Sequence, residues 1–202
     1  MLTLLDDPIS GNGYKIRLLL AFLDTPYEYR TVSVLKSETR TPEFLAISRN
    51  GKIPVLILED GTVLPESNAI LHYLAAGSSW LPSDRLHHAQ VLHWMFWEQY
   101  SHEPNIATLR FWNHMPELDA AQKAMIPGKH ANGLAALKLM NDHLERHDWF
   151  VAGAPTIADI ALFAYTHVAE EGDFKLADYP NVESWIARMQ GLPGFVPMET
   201  EA

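Results

Sequence analysis

The chain has 202 residues, 48% of them hydrophobic, which is enough to bury the core of one large domain or of two small ones. Its 25 acidic residues against 15 basic ones give a formal net charge of -10 at pH 7, which argues against a nucleic-acid partner because phosphate binding needs clustered Lys and Arg. The chain contains no cysteine, so any sulfur chemistry must use a thiol that a substrate supplies.

Residues 1–77 alternate short apolar runs with helical ones. The runs LTLL, YEYRTVSV, VLILED and TVL predict strands, whereas KIRLLLAFL, PEFLAI and SNAILHYLA predict helices. Asp60 and Gly61 separate two of the strand patterns and predict a hairpin, which makes the sheet mixed. This order of elements is typical of an α/β thioredoxin-like domain.

The pattern changes beyond residue 77. Residues 78–86, SSWLPSDRL, are predicted to form a linker. Residues 87–202 show long helical periods with few β-branched runs, which predicts an all-α helical bundle. Pro104 is expected to interrupt the aromatic-rich first helix of that bundle.

Two later helices are expected to supply the core of the bundle. Leu134, Leu137 and Leu144 share one stripe of a helical pattern and are predicted to face the core. Thr156 and Asp159 have the spacing of a capping box, and the run that follows them is apolar. This run is therefore predicted to be the buried central helix.

The stretch SGNGYKIR, from Ser10 to Arg17, predicts a loop that opens a helix. The unpaired N–H groups and the positive end of a helix dipole favour an anion there, either a phosphate or a thiolate. Gly11 and Gly13 do not match a dinucleotide-binding fingerprint, because Ile16 stands in place of the third glycine.

Two further stretches have features of a ligand site. In GKIPVL, Pro54 begins an apolar strand and removes one ladder donor, which suits a turn with a cis bond and leaves the Ile53 backbone able to pair with an extended ligand. In PESNAIL, Glu66 and Ser67 lie where a strand ends and a helix begins. Ser67 there could equally serve only as a helix cap.

These stretches, together with PESNAILHYLA and TIADIALF, occur in an order that resembles the cytosolic glutathione transferase superfamily over nearly the entire chain. The resemblance implies a glutathione-binding thioredoxin-like domain, an all-helical domain that helps to form an electrophile pocket, and a homodimer. It implies conjugation of glutathione, the co-substrate, to small hydrophobic electrophiles in detoxification. No run approaches the roughly 20 apolar residues of a membrane span, so we expect a cytoplasmic protein with no membrane partner.

The resemblance also implies residue roles in binding. The Ile53 backbone beside Pro54 would pair with the cysteinyl part of glutathione. Glu66 and Ser67 would bind the ammonium and the carboxylate of the γ-glutamyl part. The glycyl end needs a donor or a cation, for which the candidates are Thr39, Arg40 and Lys52.

Ser10 is the predicted catalytic residue, since its separation from Pro26 is similar to that of theta-like, serine-type transferases. Its hydroxyl would donate to the glutathione thiolate, although the same residue could act only as a helix cap. Asn12 is the alternative, because NGYK resembles Nu-type relatives in which an Asn flanks the sulfur. Tyr14 is a weaker option, since tyrosine-type members place that residue on the first strand.

The predicted electrophile pocket uses two of five aromatic residues near the start of the bundle, Tyr100 and Phe111. Arg110 would bind an anionic substrate or, preferably, pair with Glu98 or Glu103. No metal site is predicted. His143 and His147 have the spacing of two ligands on one helix face, but they are interpreted as a solvated pair.

Two other functions remain open at this point. The first is a Nu-like glutathione-dependent reductase of disulfides or peroxides, which Asn12 would support. The second is a non-catalytic binding module with the same fold.

Overall fold

The computed structural model describes residues 1–151 and 153–198. They form two compact units. The first unit contains Met1–Ala76 and the segment that begins at Pro193, and the second contains Gly77–Leu192. The domain limits given by the sequence pattern stay predictions.

The first unit is built on a four-stranded sheet with the strand order β2-β1-β3-β4. The strands β1 and β2 are parallel, whereas β1 with β3 and β3 with β4 are antiparallel. The sheet is therefore mixed, as predicted, and the loop with Asp60 and Gly61 joins the two strands of a hairpin. The strands are β1 (Leu2–Asp6), β2 (Tyr27–Thr31), β3 (Val55–Ile57) and β4 (Val63–Pro65).

Three helices accompany this sheet, and α1 packs against α3. Leu18, Leu19 and Leu20 of α1 are fully buried. The helices are α1 (Gly11–Phe22), α2 (Pro42–Ile47) and α3 (Ser67–Ala75), and a short 3₁₀ turn spans Glu38–Arg40. This arrangement confirms the thioredoxin-like prediction for the first unit.

The second unit is helical among its described residues. A π-helical segment, Glu98–His102, separates α4 from α5, and Pro104 lies in the first turn of α5, where a missing N–H costs little. The expected interruption near Pro104 is confirmed. The helices are α4 (Arg85–Trp97), α5 (Glu103–Asn113), α6 (Ala120–Leu144), α7 (Ile157–Thr166) and α8 (Pro180–Gln190), with short 3₁₀ turns at Ala169–Gly172 and Leu176–Asp178.

The helix α7 is the buried centre of this unit, since all 10 of its residues are buried. Its capping box is present as predicted, with Thr156 and Asp159 each accepting a backbone hydrogen bond from the other end of the turn. The Asp159 carboxylate also accepts hydrogen bonds from the Phe150 N–H at 3.2 Å and the Trp185 Nε1–H at 3.1 Å. The box therefore links three parts of the unit as well as starting the helix.

The helix α6 presents a different face to the core than predicted. Leu137 and Leu144 are buried, but Leu134 is 36% exposed, so the prediction for Leu134 is wrong. Gly133 and Met140 belong to the buried face instead. Residues 133, 137, 140 and 144 follow the helical period, whereas position 134 is rotated by about 100° from Gly133.

No helix in residues 1–151 or 153–198 combines the length and the apolar character needed to cross a membrane.

Candidate functional site

Ser10 is the N-cap of α1. Its Oγ accepts a hydrogen bond from the Gly13 N–H at 3.1 Å, and its own N–H donates to the Asp7 carbonyl oxygen at 2.8 Å. A hydroxyl that accepts one hydrogen bond still carries a proton to donate. Capping the helix and donating to an anion are therefore compatible roles for this half-buried side chain.

Asn12 and Ser67 connect the first turns of two helices. The Ser67 Oγ–H donates to Asn12 Oδ1 at 2.9 Å, so a bond across 55 positions of sequence ties the start of α1 to the start of α3. The Ser67 side chain is buried, and that of Asn12 is partly exposed. Because the amide oxygen of Asn12 accepts this hydrogen bond, Asn12 would use its amide nitrogen as the donor to an anion.

Glu66 precedes α3 in a conformation that is unusual for a residue with a side chain. Its φ is 70° and its ψ is 112°, and its side chain makes no capping hydrogen bond to the helix. The exposed carboxylate instead accepts a hydrogen bond from Asn50 Nδ2 at 3.3 Å. Backbone strain of this kind persists where surrounding structure holds it, which is frequent at ligand sites. The positive end of α3 lies beside this carboxylate.

The peptide bond between Ile53 and Pro54 is cis, as expected. Pro54 is buried, Ile53 is half-buried, and both lie directly before β3.

The three candidates for the glycyl end differ in exposure. Thr39 is only 5% exposed, whereas Arg40 and Lys52 are exposed. A Cβ atom at Gly51, whose φ is +61°, would lie 2.5 Å from Arg40 Nη1. The fold thus brings the Arg40 guanidinium against Gly51, which directly precedes Lys52. Two cationic side chains, Arg40 and Lys52, therefore lie at the segment that leads to Ile53.

Asp6 is a charged residue of this region that the sequence analysis did not select. It ends β1, is fully buried, and lies so close to Gly13 that a Cβ atom there would overlap its carboxylate. Its Oδ2 lies 3.2 Å from Arg17 Nε and accepts a hydrogen bond from the Tyr29 hydroxyl at 3.5 Å. Burial raises the pKa of Asp6 to about 7, although the charge of Arg17 opposes the rise.

A signal for this pair is present in the sequence. Asp6 ends an apolar strand pattern, and Arg17 lies within the apolar pattern of α1. Charged residues are almost never buried without a partner, so each of these positions indicates the other.

In the second unit, the aromatic candidates divide by exposure. Tyr100 is 87% and Phe111 is 36% exposed, whereas Trp94 and Trp112 are buried in the core. The exposure of Tyr100 and Phe111 leaves their assignment to an electrophile pocket as a prediction.

Arg110 has a partner that the sequence pattern did not indicate. Its side chain is buried, and its Nε donates to Glu171 Oε2 at 2.7 Å. The 3₁₀ turn Ala169–Gly172 packs against α5 and supplies this partner.

His143 and His147 are a packed pair more than a solvated one. Their rings stack at 4.4 Å, and His143 also stacks on Phe150 at 5.3 Å and meets the edge of Trp94 at 4.9 Å. Only His147 is exposed. Burial lowers the pKa of His143, and the nearby His147 lowers it further. In the part of the chain that the structure describes, no three His, Asp or Glu residues group so as to hold a metal ion.

Comparisons with known proteins place both units in one family. The family described as glutathione S-transferase, N-terminal domain, matches residues 9–76, and the corresponding C-terminal domain matches residues 106–193. The disulfide-bond oxidoreductase YfcG of Escherichia coli is 30% identical over 192 residues, which cover 90% of this chain and 87% of that relative.

Solved structures agree with these matches. The crystal structure of a glutathione S-transferase from Pseudomonas fluorescens matches this chain with a TM-score of 0.94 and 49% sequence identity. The match covers 98% of this chain and 98% of that chain. The glutathione transferase URE2P8 from Phanerochaete chrysosporium, solved with oxidized glutathione, has a TM-score of 0.83 at 24% identity, with 96% of this chain and 90% of that chain covered. At that identity the second likeness shows the fold alone.

Proposed function

We propose that this chain, which belongs to the glutathione S-transferase family, binds glutathione at the starts of α1 and α3 and transfers its thiolate to small hydrophobic electrophiles. The hydrogen bond from Ser67 to Asn12 carries this proposal, because it holds the amino ends of the two helices together. Two positive helix ends side by side suit a ligand that bears both a carboxylate and a thiolate.

Each part of glutathione finds a group of matching charge in the first unit. Glu66 accepts the γ-glutamyl ammonium, and Ser67 with the first turn of α3 binds the neighbouring carboxylate. The Ile53 backbone pairs with the cysteinyl part. The exposed Arg40 and Lys52 are the better candidates for the glycyl carboxylate, while the buried Thr39 would reach it through its backbone.

Ser10 acts on the sulfur. A free thiol has a pKa of about 8.5, so making it mostly ionised at neutral pH requires about 2.7 kcal/mol of preference for the anion, or about two pKa units. A hydroxyl donor and the positive end of α1 together supply much of that preference. The thiol proton leaves to solvent, the sulfur forms a bond to the electrophilic carbon, and the leaving group departs with its electron pair.

The test is Ser10→Ala, with Ser10→Thr as the matched variant that keeps a hydroxyl. With an aryl halide, kcat/KM should fall about 100-fold in Ser10→Ala and much less in Ser10→Thr. Glutathione affinity, measured by calorimetry, should stay near that of the wild type in both. Turnover by Ser10→Ala at the wild-type rate would refute the role of Ser10. Absence of glutathione binding by the wild type would refute the proposed function.

A second candidate function is reduction of disulfides by glutathione. The relative named disulfide-bond oxidoreductase YfcG favours it, as does the position of Asn12 beside the same helix end. One glutathione thiolate would attack a mixed glutathione disulfide, releasing a thiol and forming oxidised glutathione. Asn12→Ala should then slow the reduction of a mixed disulfide more than it slows conjugation. Equal losses in the two assays would argue against this function.

Tyr100 and Phe111 are proposed to contact the electrophile. A homodimer is proposed because Phe96, a large apolar side chain on α4, is 70% exposed. We also propose a cytoplasmic location and a role in detoxification.

A further inference from the structure

We propose that Asp6, buried beneath Gly13, is a positioning residue that, together with Arg17, sets how strongly the start of α1 favours a negatively charged sulfur. This inference rests on the proposed function, since it concerns the same thiolate. It adds a pair of buried charges to the groups that act on the sulfur directly.

Gly13 is the point of contact between the pair and the site. The N–H of Gly13 donates to Ser10 Oγ, the hydroxyl proposed to hold the sulfur. The same residue lies directly against the Asp6 carboxylate, with no room for a side chain between them. A single backbone residue therefore separates the proposed thiolate donor from a buried acid.

Arg17 contacts the segment before Ser10 at two points. It lies one helical turn after Gly13, so both face the same side of α1. Its Nε faces Asp6 Oδ2 at 3.2 Å, and its Nη2 donates to the Pro8 carbonyl oxygen at 2.8 Å. Asp6 and Pro8 lie just before Ser10. The Arg17 guanidinium therefore connects the loop that carries the Ser10 hydroxyl to α1.

The charged and polar groups that face Asp6 come from α1, from β2 and from the residue that follows β1. Arg17 approaches from α1, the Tyr29 hydroxyl from β2, and Asp7 follows Asp6 in the chain. Among the described residues, Asp6 Oδ1 is buried and has no hydrogen-bond partner. A carboxylate so poorly solvated is costly in its charged form, which agrees with its pKa of about 7. Its charge therefore changes in the pH range in which the enzyme would work.

The consequence for the sulfur follows from the sign of each charge. A negative Asp6 opposes a second negative charge above Gly13, whereas Arg17 favours one. Replacing Asp6 by Asn removes the opposing charge and keeps the shape of the side chain. The uncompensated Arg17 should then lower the pKa of the bound glutathione thiol by about half a unit to one unit.

The experiment measures the ultraviolet absorbance of the bound thiolate against pH in Asp6→Asn and in Glu28→Gln. Glu28 is an exposed carboxylate of β2, so its replacement makes the same change of charge at the surface of the same unit. The thiol pKa should fall in Asp6→Asn, together with the pH profile of kcat/KM, and should not change in Glu28→Gln. Binding of glutathione with an unchanged thiol pKa in Asp6→Asn would overturn the inference alone.

A measurement on the wild type keeps the inference testable if Asp6→Asn does not fold. Coupling between two groups is reciprocal, so a thiolate must raise the pKa of Asp6 by as much as Asp6 raises that of the thiol. Carbon NMR of the Asp6 carboxyl should show a higher pKa with glutathione bound than with S-methylglutathione, which carries no thiolate. Equal values would overturn the inference, whereas failure of both ligands to bind would refute the proposed function.

Discussion

Replacing Asp159 by Ala should destabilise the second unit strongly. The carboxylate accepts hydrogen bonds from the Thr156 N–H and Oγ1–H at 2.9 Å and 3.1 Å, and from the Phe150 N–H and Trp185 Nε1–H at 3.2 Å and 3.1 Å. The threonine hydroxyl can turn to another acceptor, but the three N–H donors would be left buried and unpaired. Each unpaired donor costs about 1–3 kcal/mol.

The ionisation of Asp159 offsets part of this loss. Burial raises its pKa to about 6 from 3.8. This shift costs the folded state about 3 kcal/mol at neutral pH. With about 2 kcal/mol for each of the three donors, the net loss expected for Asp159→Ala at pH 7 is about 3 kcal/mol, a large part of the stability of an ordinary domain.

Urea unfolding followed by tryptophan fluorescence measures this loss. The matched control is Asp178→Ala, because the Asp178 carboxylate is exposed and forms a surface ion pair with Lys175 at 3.4 Å. The control should lose less than about 1 kcal/mol. A loss below about 1 kcal/mol in Asp159→Ala as well would refute the structural reasoning.

The same comparison has a predicted pH dependence. Because the folded pKa of Asp159 lies above the unfolded value, the folded state binds more protons between about pH 4 and pH 6. The contribution of this group to stability is therefore greatest at the acid end and falls as the pH rises through 6. The difference between wild type and Asp159→Ala should be larger at pH 4 than at pH 7.

Three further predictions concern other positions. Gly13→Ala should lower stability by about 2 kcal/mol or more in thermal unfolding, because its Cβ would overlap the Asp6 carboxylate; an unchanged Tm would contradict that contact. Leu137→Ala should cost about 2–5 kcal/mol in urea and Leu134→Ala less than about 1 kcal/mol, and equal costs would contradict the assignment of the buried face. Burial lowers the pKa of His167 to about 4, so the wild type should lose stability as the pH falls from about 6.5 to 4, whereas His167→Phe should lack this loss in acid unfolding.

The sequence by itself determined the order of the elements, the mixed sheet and the capping box before α7. These features depend on local signals: the alternation of strands, the helical period, the Asp60–Gly61 turn and the spacing of Thr156 and Asp159. The sequence also indicated the starts of α1 and α3 as one ligand site, through the motifs that resemble the family. The roles of the individual site residues stay predictions.

Only the tertiary structure decided which distant residues meet. The bond between Asn12 and Ser67 and the pairing of Arg110 with Glu171 each join positions more than 50 residues apart. The close approach of the Asp6 carboxylate to Gly13 depends on how α1 lies over the end of β1. A local pattern shows which residues share a face of their own element, but the packing of that face against other elements fixes burial, ion pairing and the pKa of a buried acid.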